Sequence, residues 1–251
     1  MGGEGCCWFF HLLQYFNIFS QMFYHDSFSP ESLSGMELDH LLAHGWYRMH
    51  QSVFTTSHVD LVDVYRVHWL RFPVVELKDH RSHRKLRSRN SNFTFTINDA
   101  DEITVAESLL YGRYRQSIAF DGALNIDESL FGEGGGGNTI FNTKRLSVYD
   151  KDELIACSYF DVGEISAASI LNFFNPEYKR FSLGRYLILL TIDYLKEQGY
   201  AYYYPGYILG GSDKMNYKLF LGREEAQYFD PGEVNWKGFH EGILIRQPSD
   251  D

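Results

Sequence analysis

Cysteine is scarce in this chain: Cys6, Cys7 and Cys157 are the only three among 251 residues. They are too few and too badly spaced for a disulfide framework or a four-ligand zinc site. That scarcity predicts a reducing, cytoplasmic protein. Positive charge is also short, with 23 Lys and Arg against 33 Asp and Glu and a formal net charge of -10. The summed field repels phosphate, which excludes a wholly electrostatic DNA binder and leaves nucleic acid only a local basic face to meet. No apolar run is long and clean enough for a membrane span. Between Cys6 and Phe23 the hydrophobic residues are interrupted by His11, Gln14, Asn17 and Gln21, and Glu4 stands where an export signal carries basic residues. A spanning helix would bury those polar side chains over ~20 residues. Residues 1–21 therefore read as an amphipathic arm or as sequence upstream of a start at Met22. Internal repeats are absent as well.

What the chain does have is 44% hydrophobic and 17% aromatic residues, enough for one large core or two small ones. Residues 31–45 carry Met36, Leu38, Leu41 and Leu42 near helical spacing and stop at Gly45. Residues 46–58 and 61–75 are rich in Tyr, Val, Trp, Phe and Thr, as strands are, and Pro73 puts the second at an edge or strand end. Ser27-Phe-Ser-Pro30 reads as turn chemistry. Phe93, Phe95 and Ile97 alternate with threonines, and a helix opens at Thr104.

Residues 121–143 lose the pattern and include Gly132 and Gly134 to Gly137, which predicts a flexible loop. No Lys-Ser/Thr follows, so these glycines are not a phosphate-binding fingerprint. Beyond it, 146–149, 154–162 and 167–174 read as a meander of three strands. Residues 182–199 are the strongest helix, with Leu183, Tyr186, Leu187, Leu190, Tyr194 and Leu195 on one face, and 201–209 is a strand broken at Pro205-Gly206. The fold class is α+β: a mixed sheet with a crossover helix over 144–251, a smaller N-terminal α/β part over 22–120, and the glycine-rich loop between them.

The stretch from Lys78 to Asn90 sets six basic residues against one Asp. Arg81, Arg84, Lys85, Arg87 and Arg89 have two readings, an RNA contact whose affinity falls steeply with salt, or a solvated helix end. In an acidic chain a single concentrated basic site favours the first. The histidines, including His40 and His44 four residues apart, have no cysteine or carboxylate at ligand spacing, so no metal is predicted.

Five ordered motifs carry a family resemblance: Leu154-Ile-Ala-Cys-Ser-Tyr-Phe-Asp161, Phe174-Asn-Pro-Glu-Tyr178, Ser182-Leu-Gly-Arg-Tyr-Leu-Ile188, Tyr202-Tyr-Tyr-Pro-Gly-Tyr-Ile208 and Lys214-Met-Asn-Tyr-Lys218. With Gly45-Trp-Tyr-Arg48, the basic segment and Leu109-Leu-Tyr-Gly-Arg-Tyr114 upstream, the chain resembles the arginyl-tRNA-protein transferases over roughly residues 22 to 225. The resemblance implies a GNAT-like C-terminal half, in which two strands splay to admit an acyl donor. It also implies transfer of arginine, or leucine, from charged tRNA to a protein N-terminus, marking the protein for degradation. Many relatives carry N-terminal cysteines that bind a metal or cluster. Here Thr56-Ser-His58 stands in the later region and Cys6-Cys7 lies too far upstream, so no cofactor beyond the aminoacyl-tRNA is expected.

An aminoacyl ester is already activated, so such an enzyme must hold a neutral amine near the carbonyl, stabilise an oxyanion and return a proton to the ribose oxygen. Lys214, Tyr217 and Lys218 are the candidates for the ester end, Tyr207 for shaping the pocket, and Asp161 for accepting a proton or orienting the ammonium. Each has a plainer reading: lysines on a solvated surface, tyrosines in a core, Asp161 in a turn. Two other functions remain open, an acetyl-CoA-dependent acetyltransferase, against which Arg180-Phe-Ser-Leu-Gly184 has the wrong spacing, and a non-catalytic binding module on the same fold.

Overall fold

The computed structural model describes residues 23–61, 63–118, 123–132 and 139–245. The possible start at Met22, the cysteine pair Cys6-Cys7 and the run Gly134 to Gly137 lie outside the described residues. The architecture is mixed α+β, and no helix among the described residues is long and apolar enough to cross a membrane.

Strands β1 (His25–Phe28), β2 (Tyr47–Met49) and β3 (Ser52–Thr56) make a small sheet in the order β1-β3-β2. Ser27 and Phe28 thus lie in a strand and not in the expected turn, because pairing with Val53 to Thr56 overrides the local preference. Helix α1 (Gly35–Ala43) opens on a capping box in which the Ser34 hydroxyl accepts from the Glu37 amide.

The large sheet contains β4 (His58–Asp60), β5 (Val64–Pro73), β6 (Thr94–Asp99), β7 (Thr143–Asp150), β8 (Glu153–Val162), β9 (Ser166–Phe174), β10 (Tyr202–Leu209), β11 (Gln227–Asp230) and β12 (Asn235–Gly238). Its order is β12-β11-β5-β10-β9-β8-β7-β6, with β4 on β5. Strands β5 and β6, from the N-terminal half, therefore belong to the same sheet as the C-terminal meander. All pairings are antiparallel except β9 with β10, which the crossover helix α5 (Leu183–Glu197) joins.

Helix α5 buries nine residues, among them Leu187, Leu190 and Leu195, against Phe72, Val148 and Phe160 on one face of the sheet. It ends before Gly199, whose φ of 78° an L side chain would resist. On the other face α1 packs with Trp46, Tyr47 and Val53 against Trp69, Tyr204 and Leu209. Helices α3 (Val105–Ser117) and α4 (Ile126–Phe131) cover Cys157, Tyr159 and Phe173. The short helix α4 falls inside the segment expected to be a loop; Asn125 caps it by accepting from the Glu128 amide at 2.8 Å. Helix α2 (Arg81–Arg89) holds the basic segment and lies along α5, with His83 and Leu86 buried.

Candidate functional site

The site begins where two strands part. Parallel pairing of β10 with β9 is confined to Tyr202, Tyr203 and Tyr204 opposite Ser166, Ala167 and Ala168. Pro205 lacks an amide donor, and Gly206 takes a φ of 91° that a side chain would strain. The register slips there, and Gly206 to Leu209 pair only with Leu70 to Val67 of β5, while β9 runs on to Phe174 paired with β8 alone. Polar backbone groups of β10 are thereby freed beside β9.

One of them is already taken. The Lys218 ammonium donates to the Tyr207 carbonyl at 2.6 Å. Lys218 lies on a 3-10 helix, Asp213–Leu221, whose N-cap Ser212 accepts from the Lys214 amide and whose Leu219 and Leu221 are anchored in the core. That anchoring turns the lysine inward, leaving it 9% exposed. Among the described residues no carboxylate touches it, and desolvation lowers its pKa from the lysine range to about 7. The rings of Tyr207 and Tyr217 flank the nitrogen, at 5.1 and 6.0 Å to their centroids. Burial raises the pKa of both hydroxyls, that of Tyr217 up to about 12, although Tyr217 as a whole residue is 43% exposed. Along β9, the Tyr203 hydroxyl bonds Ser169, the Asn172 amide donates to Ser169 at 3.3 Å, and the buried Asn172 Oδ1 accepts from no neighbour.

Of the residues expected at the ester end, Lys218 and Tyr217 thus come together beside Tyr207, expected to shape the pocket, and Lys214 sits exposed on the same 3-10 helix. Asp161 is fully buried as the penultimate residue of β8 and not in the turn that follows. Its Oδ1 accepts from Arg48 at 2.9 Å and from the Thr143 hydroxyl at 2.6 Å. Desolvation raises its pKa against the pull of Arg48 and Thr143. Arg48 also donates to the carbonyls of His50 and Leu130, so this cluster ties β2 and α4 to the large sheet. Among the described residues no three His, Cys, Asp or Glu side chains gather where they could hold a metal ion.

The basic segment divides. Arg81, Arg84, Lys85, Ser88 and Arg89 line one shallow surface depression, as residues spaced three and four apart on a helix must. Arg87 points the other way, paired with Asp193 of α5 and Asp79, both at 2.7 Å. Sequence reasoning missed Arg48, Thr143, Ser169 and Asn172. The Gly45-Trp-Tyr-Arg48 motif was the one available signal for the first, and β9 itself offered none for the last two.

Comparison with known proteins adds the following. A family described as "Arginine-tRNA-protein transferase, C terminus" matches residues 89–227. An aspartate/glutamate leucyltransferase of Leptospira interrogans is 27% identical over 195 residues, 76% of this chain and 74% of that protein. One from Acinetobacter baumannii is 30% identical over 154 residues, 59% of this chain and 55% of that protein. One from Shewanella oneidensis is 29% identical over 155 residues, 59% and 62% respectively. Among solved structures, the C-terminal domain of a putative lysylphosphatidylglycerol synthetase from Agrobacterium fabrum aligns with a TM-score of 0.43 at 15% identity, covering 71% of this chain and 57% of that one. FemX aligns with a TM-score of 0.41 at 10% identity, covering 79% and 68%. The family match takes in the parted strands, the crossover helix and the 3-10 helix bearing Lys218, and on it the chain belongs to the arginine-tRNA-protein transferase family, as an aminoacyl-tRNA-dependent transferase.

Proposed function

We propose that this chain moves leucine or arginine from charged tRNA to the N-terminal amine of a protein whose first residue is acidic. The names of the curated relatives favour leucine and the acidic acceptor. The reading carries with it a cytoplasmic setting, where charged tRNA is available, and a role in N-terminal-dependent degradation. The observation that carries it is Lys218: a buried lysine without a carboxylate, its pKa near 7, at the point where β9 and β10 separate.

With a pKa near 7 the lysine is divided between its two forms at physiological pH, so it can both take and give a proton. As the amine attacks the ester carbonyl, a C–N bond forms and neutral Lys218 accepts the proton the amine loses. The resulting ammonium keeps one N–H on the Tyr207 carbonyl and turns the others to the oxyanion. Collapse breaks the ester C–O bond, and the ribose 3′ oxygen receives the proton. The Tyr217 hydroxyl supplies a second donor, Tyr207 forms a wall of the pocket, and Lys214 meets tRNA phosphate at the rim. Asp161 acts by fixing Arg48 and not as a base, because its carboxylate is wholly buried against Arg48 and Thr143. Splayed strands of this kind suit a GNAT-like acyl donor site, and the exposed face of α2 meets the tRNA. No cofactor is needed, because the ester is itself the activated species.

The test is to incubate the protein with leucyl-tRNA, arginyl-tRNA or acetyl-CoA and a peptide beginning with Asp or Glu, then weigh the peptide. A gain of one leucyl or arginyl residue is expected. A gain of acetyl, or no change with any donor, overturns the proposal.

A further inference from the structure

Many cations in this chain have a carboxylate partner. Lys78 pairs with Glu224 and Glu225, Arg113 with Glu153, Lys144 with Asp99, Arg145 with Glu107, Arg223 with Glu241, and Lys237 with Asp230 and Glu233. A chain with a net charge of -10 has carboxylates to spare for this. Yet two neighbouring segments keep their cations unpaired. Among the described residues Arg81, Lys85 and Arg89 of α2 have no carboxylate within ion-pair distance, and neither have Lys179, Arg180 and Arg185, all three exposed.

The two segments are stitched side by side. Arg89 Nη1 donates to the Arg180 carbonyl at 3.0 Å, and the Asn90 side-chain amide donates to the Phe181 carbonyl at 3.1 Å. Arg180 stacks over the half-buried Phe181 ring at 4.6 Å, and Phe93 packs edge-on against that ring. From there the chain enters α5, where Gly184 lies against Phe174 at the far end of β9, beyond the point at which β10 has left it. Arg185 then sits 5.7 Å from the centroid of the Phe220 ring, on the 3-10 helix that carries Lys218. His83 of α2 bonds the Phe220 carbonyl at 2.8 Å, so the strip and that helix are one packed unit.

We propose that Arg81, Lys85, Arg89, Lys179, Arg180 and Arg185 form one continuous track for an RNA backbone. The α2 end takes the paired acceptor stem, and Lys179, Arg180 and Arg185 hold phosphates of the unpaired 3′ end as it turns into the parted strands. A row of unneutralised cations on an acidic protein is what counterion release requires, and aromatic side chains interleaved with arginine suit a single strand, whose bases can stack. The inference rests on the tRNA-dependent reading above and extends it from α2 to the segment 179–185. No carboxylate lies within 179–185, and Glu177, two residues before it, is exposed and bonded to none of these cations.

Two charge-neutral variants separate the ends of the track: Lys179→Gln with Arg180→Gln and Arg185→Gln, and Arg81→Gln with Lys85→Gln. Binding of labelled tRNA and of a labelled 3′-terminal single-stranded oligonucleotide is followed by anisotropy over a salt series. The triple variant is expected to lose about tenfold or more in affinity for both probes, and its log–log salt slope for tRNA to flatten by about 2. The double variant is expected to lose affinity for tRNA alone. Arg180→Lys with Arg185→Lys keeps the charge and retains most of the binding. If wild-type protein binds tRNA and the triple variant, melting normally, binds both probes equally well, the track is wrong and the tRNA reading survives. If wild-type protein binds tRNA at no salt concentration, both fall.

Discussion

A lysine held 9% exposed with a carbonyl as its polar anchor is a costly feature, and the cost has a direction in pH. In the unfolded chain Lys218 keeps its proton up to about pH 10.4; in the folded protein it gives it up near pH 7. Between those values the unfolded state binds more protons, so this group makes stability rise with pH across the window from about 7 to 10. Below pH 7 it is charged in both states and its burial penalty is fully present. Lys218→Met removes that penalty, so the variant is expected to melt above the wild type at pH 6, with the gap narrowing towards pH 10. Its transfer rate is expected to fall by about 10²–10⁴, the usual range for a positioned acid–base group, and the limb of the rate profile near pH 7 to disappear. A variant that keeps both its rate and that limb removes Lys218 from the chemistry. The sequence pointed to this residue through the motif Lys214-Met-Asn-Tyr-Lys218. It could not reveal that the core anchors of a 3-10 helix turn the ammonium inward.

At the scale of elements, the parts written in local patterns were legible and the parts made by distant partners were not. Strands β7 to β9 and helix α5 follow from alternation and from a one-sided apolar stripe, and the break at Pro205-Gly206 follows from the chemistry of those two residues. The 3-10 helix Asp213–Leu221 lacks a 3.6-residue period, and α4 hid among Asp, Glu and Gly with only Asn125 to announce it. The Arg48–Asp161 pair spans 113 positions, and nothing local foretells it. That pair also carries a prediction, because it joins β2 to β8 in a site closed to solvent. Both side chains are nearly dry, at 2% and 0% exposure. Arg48→Ala leaves the Asp161 carboxylate buried with only Thr143 to satisfy it and is expected to cost about 3–5 kcal/mol in denaturant unfolding. Adding Asp161→Asn to that variant is expected to recover part of the loss, because the stranded charge is gone. Equal stability of Arg48→Ala and the wild type would mean the two sheets do not depend on this pair.

Over the whole molecule, the contrast between a net charge of -10 and a largely unpaired basic face on α2 decides how the transferase can meet RNA. Long-range attraction is weak, so binding has to come from contacts at close range, and salt should erode it in proportion to the phosphates neutralised. The five cations first expected to make that contact are not equivalent. Arg81 and Lys85 face solvent in the depression along α2, whereas Arg87 is spent on Asp193 and Asp79 and fixes α2 to α5. Arg84, which bonds the Asp79 carbonyl and lies 3.6 Å from its carboxylate, is intermediate. Reversing charge at Arg87 therefore confounds two effects. Arg87→Glu sets three carboxylates together and is expected to lower the melting temperature, carrying tRNA binding down with it as the helix loosens. Arg81→Gln with Lys85→Gln is expected to leave melting unchanged and still weaken tRNA binding at low salt, because those side chains support nothing in the fold. Measured side by side, melting and binding should move together for Arg87→Glu and separately for the pair. If binding fell only where melting fell, α2 would be a structural brace and the basic face would have no part in holding RNA.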